Sequence, residues 1–247
     1  MSDSFAPPSA PTEPTGAEMS TAETLTGIFF EPSRTFEAMR SKPRFLVAAI
    51  ILFLMTIAVT AALYARVDMG QFIRDRIEQS PNAAQISEQQ KETQVKVGKI
   101  VGMVFIPLTV PFAIAAGSAI YMLLVMAFGG SITYKKALAV WTYSWLPQAV
   151  LGTLIAVLVL FLKSPDTIVP ENLVATNPAA FFGEGASKVL VNFLRQFDLL
   201  RFYGMFLAAL GLRKVTKISS GAAWGVVLTL WVIGLLLSVG SAALFGR

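Results

Sequence analysis

The sequence predicts an all-α fold, a polytopic membrane helical bundle with five transmembrane helices and an N-terminal interfacial helix, on three observations. First, of 247 residues 55% are hydrophobic and only 14% charged. Second, the charges are segregated: 46–65, 100–134, 137–162 and 218–246 contain none. Third, each of these windows reaches the roughly 20 apolar residues that cross a hydrocarbon core of about 30 Å. A soluble chain of this length interrupts its apolar runs with charge every few residues. The soluble, disordered and disulfide-rich classes are therefore excluded together.

Residues 1–22 are rich in Pro, Ser, Thr and Ala and read as a disordered tail. They lack the basic start and apolar core of a signal peptide, so the mature chain is expected to keep them. Residues 23–44 form an amphipathic segment in which Pro32 opens a helix, Phe36 and Met39 follow at helical spacing, and Pro43 closes it. Two readings stand for it: a helix lying on the membrane surface, or a short connecting helix packed on the bundle.

The membrane domain then occupies 45–247. Its first span is 45–65, and the i, i+3, i+4 rhythm of Met69, Phe72, Ile73 and Ile77 carries the helix onward until Ser80, Pro81 and Asn82 break it. With a second polar helix over about 84–99 this makes a protruding helical hairpin; a solvated loop is the alternative. The second span, 103–128, contains Pro107 and Pro111, and a kink or unwound stretch is expected there because each removes a backbone donor. Gly129-Gly130 and a tight basic turn lead into the third span, 137–162. The fourth, 196–212, has only 11 charge-free residues and recruits Asp198 and Arg201, which form a candidate ion pair at the membrane edge. The fifth is 222–244.

Lys and Arg near the membrane set orientation. Two short turns hold five basic residues in 17 positions, whereas the two long loops hold nine in 70. The turns therefore face the cytoplasm, with the N-terminus. Arg34, Arg40, Lys42, Arg44, Lys135, Lys136, Arg213, Lys214 and Lys217 become candidate contacts for anionic lipid or a protein partner. No basic stretch is interleaved with stacking aromatics, so nucleic acid is not an expected partner.

Cysteine and histidine are both absent. That removes Cys or His metal sites, Cys nucleophiles and Ser-His-Asp triads, and no cofactor is expected. The charge-free windows also lack the buried acid or base that intramembrane catalysis uses, so the protein reads as non-enzymatic. Pro107 and Pro111 in one span face Tyr143, Pro147 and Gln148 in the next, the arrangement of a broken-helix transport site. The competing reading has Gln148 hydrogen-bonding across helices or capping carbonyls freed by Pro107.

The order of features resembles the Yip-type membrane domain, named for Ypt/Rab-interacting proteins. It is carried by Pro32-Ser33-x-Thr35-Phe36, Phe128-Gly129-Gly130 with its basic turn, Tyr143-Ser144-x-Leu146-Pro147, and Phe197-Asp198-Leu199 leading to Ala209-Leu210-Gly211-Leu212. The resemblance implies a non-enzymatic five-span protein with a cytoplasmic N-terminus. Eukaryotic relatives carry Asp-Leu-x-Gly-Pro at the second span. Here the stretch reads Gly102-Met103-Val104-Phe105-Ile106-Pro107, so small-GTPase binding is not expected and the chain is closer to prokaryotic members. A scaffold or adaptor in the bacterial cytoplasmic membrane, with a protein partner or as a homo-oligomer, is the leading expectation. A small-solute permease is the alternative.

Overall fold

The computed structural model describes residues 19–80, 82–183 and 185–245, and among them every regular element is helical. The expected tail lies outside the described residues up to position 18. Met19 already belongs to the fold, buried to 7% exposure. Ser20 caps α1 (Thr21–Phe30) reciprocally with Glu23, satisfying two otherwise orphaned N–H groups. Pro32 occupies the first turn of α2 (Pro32–Ser41), where its missing donor costs nothing.

The first span is α3 (Leu46–Arg66). It does not continue into the following segment, as its periodicity suggested. Val67 is extended, and the Asp68 carboxylate accepts from the N–H groups of Gly70 and Gln71 to start a separate helix, α4 (Met69–Glu78). The Asp68 cap outweighs the apolar rhythm that runs across it. Ser87, with Gln90, caps α5 (Glu88–Ala127). α4 packs back along its start, with Ile73 lying over Gly98. The hairpin is thus present, built from α4 and the outer turns of α5; Pro81 lies outside the described residues.

The expected unwinding at Pro107 and Pro111 does not occur, and α5 is one 40-residue helix through both. Between them the Thr109 hydroxyl donates to the Ile106 carbonyl at 2.6 Å. Thr133 caps α6 (Tyr134–Leu162), which contains Pro147. Short 3-10 turns lead to α7 (Lys188–Leu194), then α8 (Leu199–Thr216) and α9 (Ser220–Phe245).

Four helices, α3, α5, α6 and α9, are long and apolar enough to cross a membrane. α8 is not one of them: it has 18 residues and carries Arg201, Arg213 and Lys214. Yet it packs on α6, α2 and α9 and buries Gly204, Leu207, Ala208, Gly211, Leu212 and Val215. Leu200 lies beside Gly152, and Gln148 lies against Gly204, so α8 runs antiparallel to α6. The main core lies among α2, α3, α5, α6, α8 and α9. A smaller cluster around Leu63, Met69 and Leu160 holds the end at which α3 and α6 finish.

Candidate functional site

The nine basic candidates come from three segments, and the fold brings them to one end of the bundle. Lys135 and Lys136 open α6, Arg213 and Lys214 close the antiparallel α8, and Lys217 caps α8 in the left-handed region at φ 62°. Arg34 and Arg40 lie on α2, which is seated on that end of α8, and Lys42 and Arg44 follow it.

The seating is specific. Phe36 is fully buried, and a Cβ on Gly211 would lie 2.8 Å from its ring, so only glycine leaves room for it. Thr35, Met39 and Ile28 are fully buried as well. The Thr24 hydroxyl lies 3.1 Å from that of Tyr143, Arg44 Nη1 donates to Thr21 Oγ1 at 2.7 Å, and Lys214 Nζ donates to the Glu37 carboxylate. The apolar side chains Ile28, Phe36 and Met39 of this segment lie against the bundle. Phe30 remains its exposed large apolar side chain.

Arg34 pairs with Glu31 at 3.0 Å, while Arg40, Lys135, Arg213 and Lys217 are exposed. The acids at this end among the described residues are Glu23, Glu31 and Glu37. Glu23 is held below the usual carboxylate range by the backbone N–H and then the hydroxyl of Ser20. With nine basic side chains against these three acids, the face is cationic at neutral pH.

The polar and kinked candidates separate. Tyr143 turns to Thr24 on α1, whereas Gln148 turns to Gly204 on α8, where its buried Oε1 has no hydrogen-bond donor among the described residues. Pro107 is buried and Pro111 exposed on α5. Neither these residues nor Pro147 line the cavity found between the spans.

Asp198 and Arg201 meet through the backbone. One carboxylate oxygen caps α8 by accepting from the Arg201 N–H at 3.0 Å, and the other accepts from Thr176 at 2.5 Å and Asn177 at 3.4 Å. The Arg201 guanidinium donates instead to the Gln196 side chain. Among the described residues no side-chain hydrogen bond joins Arg201 to Asp198, whose carboxylate serves as the cap of α8.

What composition and spacing missed are the contacts that decide the packing and the cavity. Trp141 fits against Gly117, and Phe128 against Gly225, in the same manner as Phe36 against Gly211. Trp141 stacks on Trp145 at 5.5 Å and meets Tyr121 edge-on at 4.9 Å. The available signal was glycine within a span at helical spacing from an aromatic, and it names no partner. A cavity of about 590 Å³ lies between α3, α5 and α6, with Pro170 and Val174 also on its lining.

The segments singled out in the sequence meet in space: Phe36 of the first sits on Gly211 of the last, and Tyr143 holds α1. The Yip1 domain family model matches residues 26–241. The chain belongs to the Yip1 domain family. Within this Yip1 domain lie all nine basic candidates and α1 from its sixth residue onward. It is similar to "Membrane protein YknW" of Bacillus subtilis (strain 168), with 27% identity over 202 residues covering 81% of each chain. No solved structure matches.

Proposed function

We propose that this Yip1-family membrane protein is a non-enzymatic scaffold or adaptor whose basic end contacts the anionic lipid surface and a cytoplasmic protein partner. One observation carries the reading: the seating of α2 on α8 gathers nine basic side chains, from segments far apart in sequence, at one end with three acids among the described residues. Each Lys or Arg near an anionic leaflet contributes about 1 kcal/mol, so the set is strong enough to define a membrane-facing surface.

The topology proposed with it has five crossings, the N-terminus and basic turns inside, and the bacterial cytoplasmic membrane as the site. In support, α8 is about 27 Å long at 1.5 Å per residue, close to a hydrocarbon thickness, and has cations near both ends. Reporters fused after Gln79 and after Phe245 should both read as outside. A cytoplasmic reading after Phe245 refutes the fifth crossing. Cross-linking in mild detergent should recover a reproducible partner or oligomer, and Lys135→Glu with Arg213→Glu should abolish it. A partner-free monomer in both forms refutes the adaptor.

A second reading, a small-solute permease, draws on the kinked second and third spans, where the buried Gln148 Oε1 has no hydrogen-bond partner among the described residues. It requires solute flux into proteoliposomes that is lost in Gln148→Leu.

A further inference from the structure

The cavity between α3, α5 and α6 is a groove with the dimensions and chemistry of a lipid tail. It extends from Leu52 to Leu63 along α3 and from Trp141 to Ala156 along α6. At 1.5 Å per residue these are about 16 and 22 Å, more than one leaflet of a core of about 30 Å. Among the described residues its lining carries no charged side chain. Two of its threonines, Thr56 and Thr109, donate their hydroxyls to the Leu52 and Ile106 carbonyls, at 3.0 and 2.6 Å, so these groups are already spent on the backbone. A sugar or amino acid would lose its hydration there for few partners. Ile106, on the lining, is 44% exposed, so the groove opens sideways towards the surrounding hydrocarbon. Left empty, its walls would forfeit their dispersion contacts.

One end carries a complementary charge. Arg66 lies one turn beyond Leu63, and its Nε donates at 3.0 Å to the carbonyl of Leu160, one turn beyond Ala156. Its guanidinium lies 5.7 Å from the Phe161 ring centre. Among the described residues the two Nη groups have no hydrogen-bond partner. They are a fork suited to two phosphate oxygens.

The geometry points to a binding groove for one anionic phospholipid, its acyl chain between α3, α5 and α6 and its phosphate on Arg66. This goes beyond the adaptor reading and uses the opposite end of the bundle, so either can fail alone.

The test uses the full chain in nanodiscs with phosphatidylglycerol carrying a diazirine at the tail terminus. Adducts should concentrate on groove residues such as Thr56, Val59, Thr109 and Thr153. Equal labelling of the outward-facing Leu54, Leu123 and Leu236 overturns the proposal. In detergent, Gly152→Phe should lower retention of phosphatidylglycerol at least tenfold. A Cβ there meets only Leu200 and Val174, at 3.8 and 4.0 Å, so the new ring fits by entering the groove. Leu123→Phe should leave retention unchanged. Arg66→Gln should lower phosphatidylglycerol retention about tenfold while leaving diacylglycerol with the same tails unaffected; equal loss of both removes Arg66 from the site. Displacement of the lipid by millimolar inorganic phosphate would show a headgroup site without a tail groove, and overturns the proposal. If Gly152→Phe fails to fold, the labelling pattern in the unmodified chain decides. Charge reversal at the basic end should leave that pattern intact.

Discussion

Gly211 and Phe36 form a joint whose strength can be measured by altering both halves. A methyl group on Gly211 would lie 2.8, 2.9 and 3.0 Å from three atoms of the Phe36 ring, closer than side chains tolerate. The ring is fully buried and cannot swing into solvent, so α2 must lift from α8. Overpacking of this kind costs about 1–3 kcal/mol. Phe36→Leu removes bulk from the same spot and costs about 1–3 kcal/mol alone through the space it leaves. In the double variant the methyl occupies the space the ring gave up. The two costs should therefore fall short of additivity by more than about 0.5 kcal/mol. Amide exchange over residues 21–41, followed by mass spectrometry in detergent micelles, reads the opening of α1 and α2 directly. Gly211→Ala should accelerate exchange about 5- to 150-fold, at 1.4 kcal/mol for each factor of ten. The Phe36→Leu partner should recover most of that protection. Strict additivity, or unchanged exchange in Gly211→Ala, would falsify the seating of α2 on α8.

Further outcomes follow from the same geometry. Gly117→Leu and Gly225→Leu drive a side chain into Trp141 and Phe128 and should lower the thermal midpoint clearly, whereas Gly234→Ala, which meets open space, should stay within about 0.5 kcal/mol of the parent by thermal denaturation. Asp198→Ala should cost about 0.5–2 kcal/mol, and Asp198→Asn should recover most of it because it still caps α8; equal loss in both would point to charge instead. Glu37→Gln removes a partly exposed ion pair with Lys214 and should cost about 1 kcal/mol or less, a difference that shrinks in high salt. Asp68 is held below its ordinary value of 3.8 by the N–H groups of Gln71 and then Gly70. A depressed carboxylate stabilises its cap above the unfolded value and loses that contribution as pH falls through the folded one. The opening free energy at the start of α4, taken from exchange rates divided by their intrinsic values at each pH, should thus be flat at neutral pH and fall in acid below 3.8, and Asp68→Asn should remove that dependence.

The sequence reveals those parts of the fold that depend on charge and on local chemistry. Four spans follow from the charge-free windows, the start of α2 from Pro32, and the cationic end from the density of Lys and Arg in two short turns. Misjudged features depend on competition or on distant partners. At Asp68 a carboxylate cap overrode an apolar rhythm that ran straight across it. Pro107 and Pro111 suggested a kink or an unwound stretch, and the helix of 40 residues runs through both without unwinding. α8 fell short of a span by composition because much of its surface faces protein, and a helix enclosed by α2, α6 and α9 has less need of an apolar exterior. The candidate site divided similarly. Its basic residues were visible as clusters, but neither the cavity nor the packing of Gln148 against Gly204 could be read locally, since each takes its walls from helices far apart in sequence.

The three glycine and aromatic pairs have a consequence for how the protein meets bilayers of different thickness. A ring set into the gap left by a missing Cβ fixes the axial register of two helices as well as their separation. Sliding by one turn, 5.4 Å, would carry the ring onto residues that do bear side chains. α5 is keyed in this way to α6 and, past its end, to α9, and α2 is keyed to α8. These pairs resist shear between α5 and α6, between α5 and α9, and between α2 and α8. Hydrophobic mismatch at those helices is then met by tilt of the joined helices or by deformation of the surrounding lipid rather than by sliding.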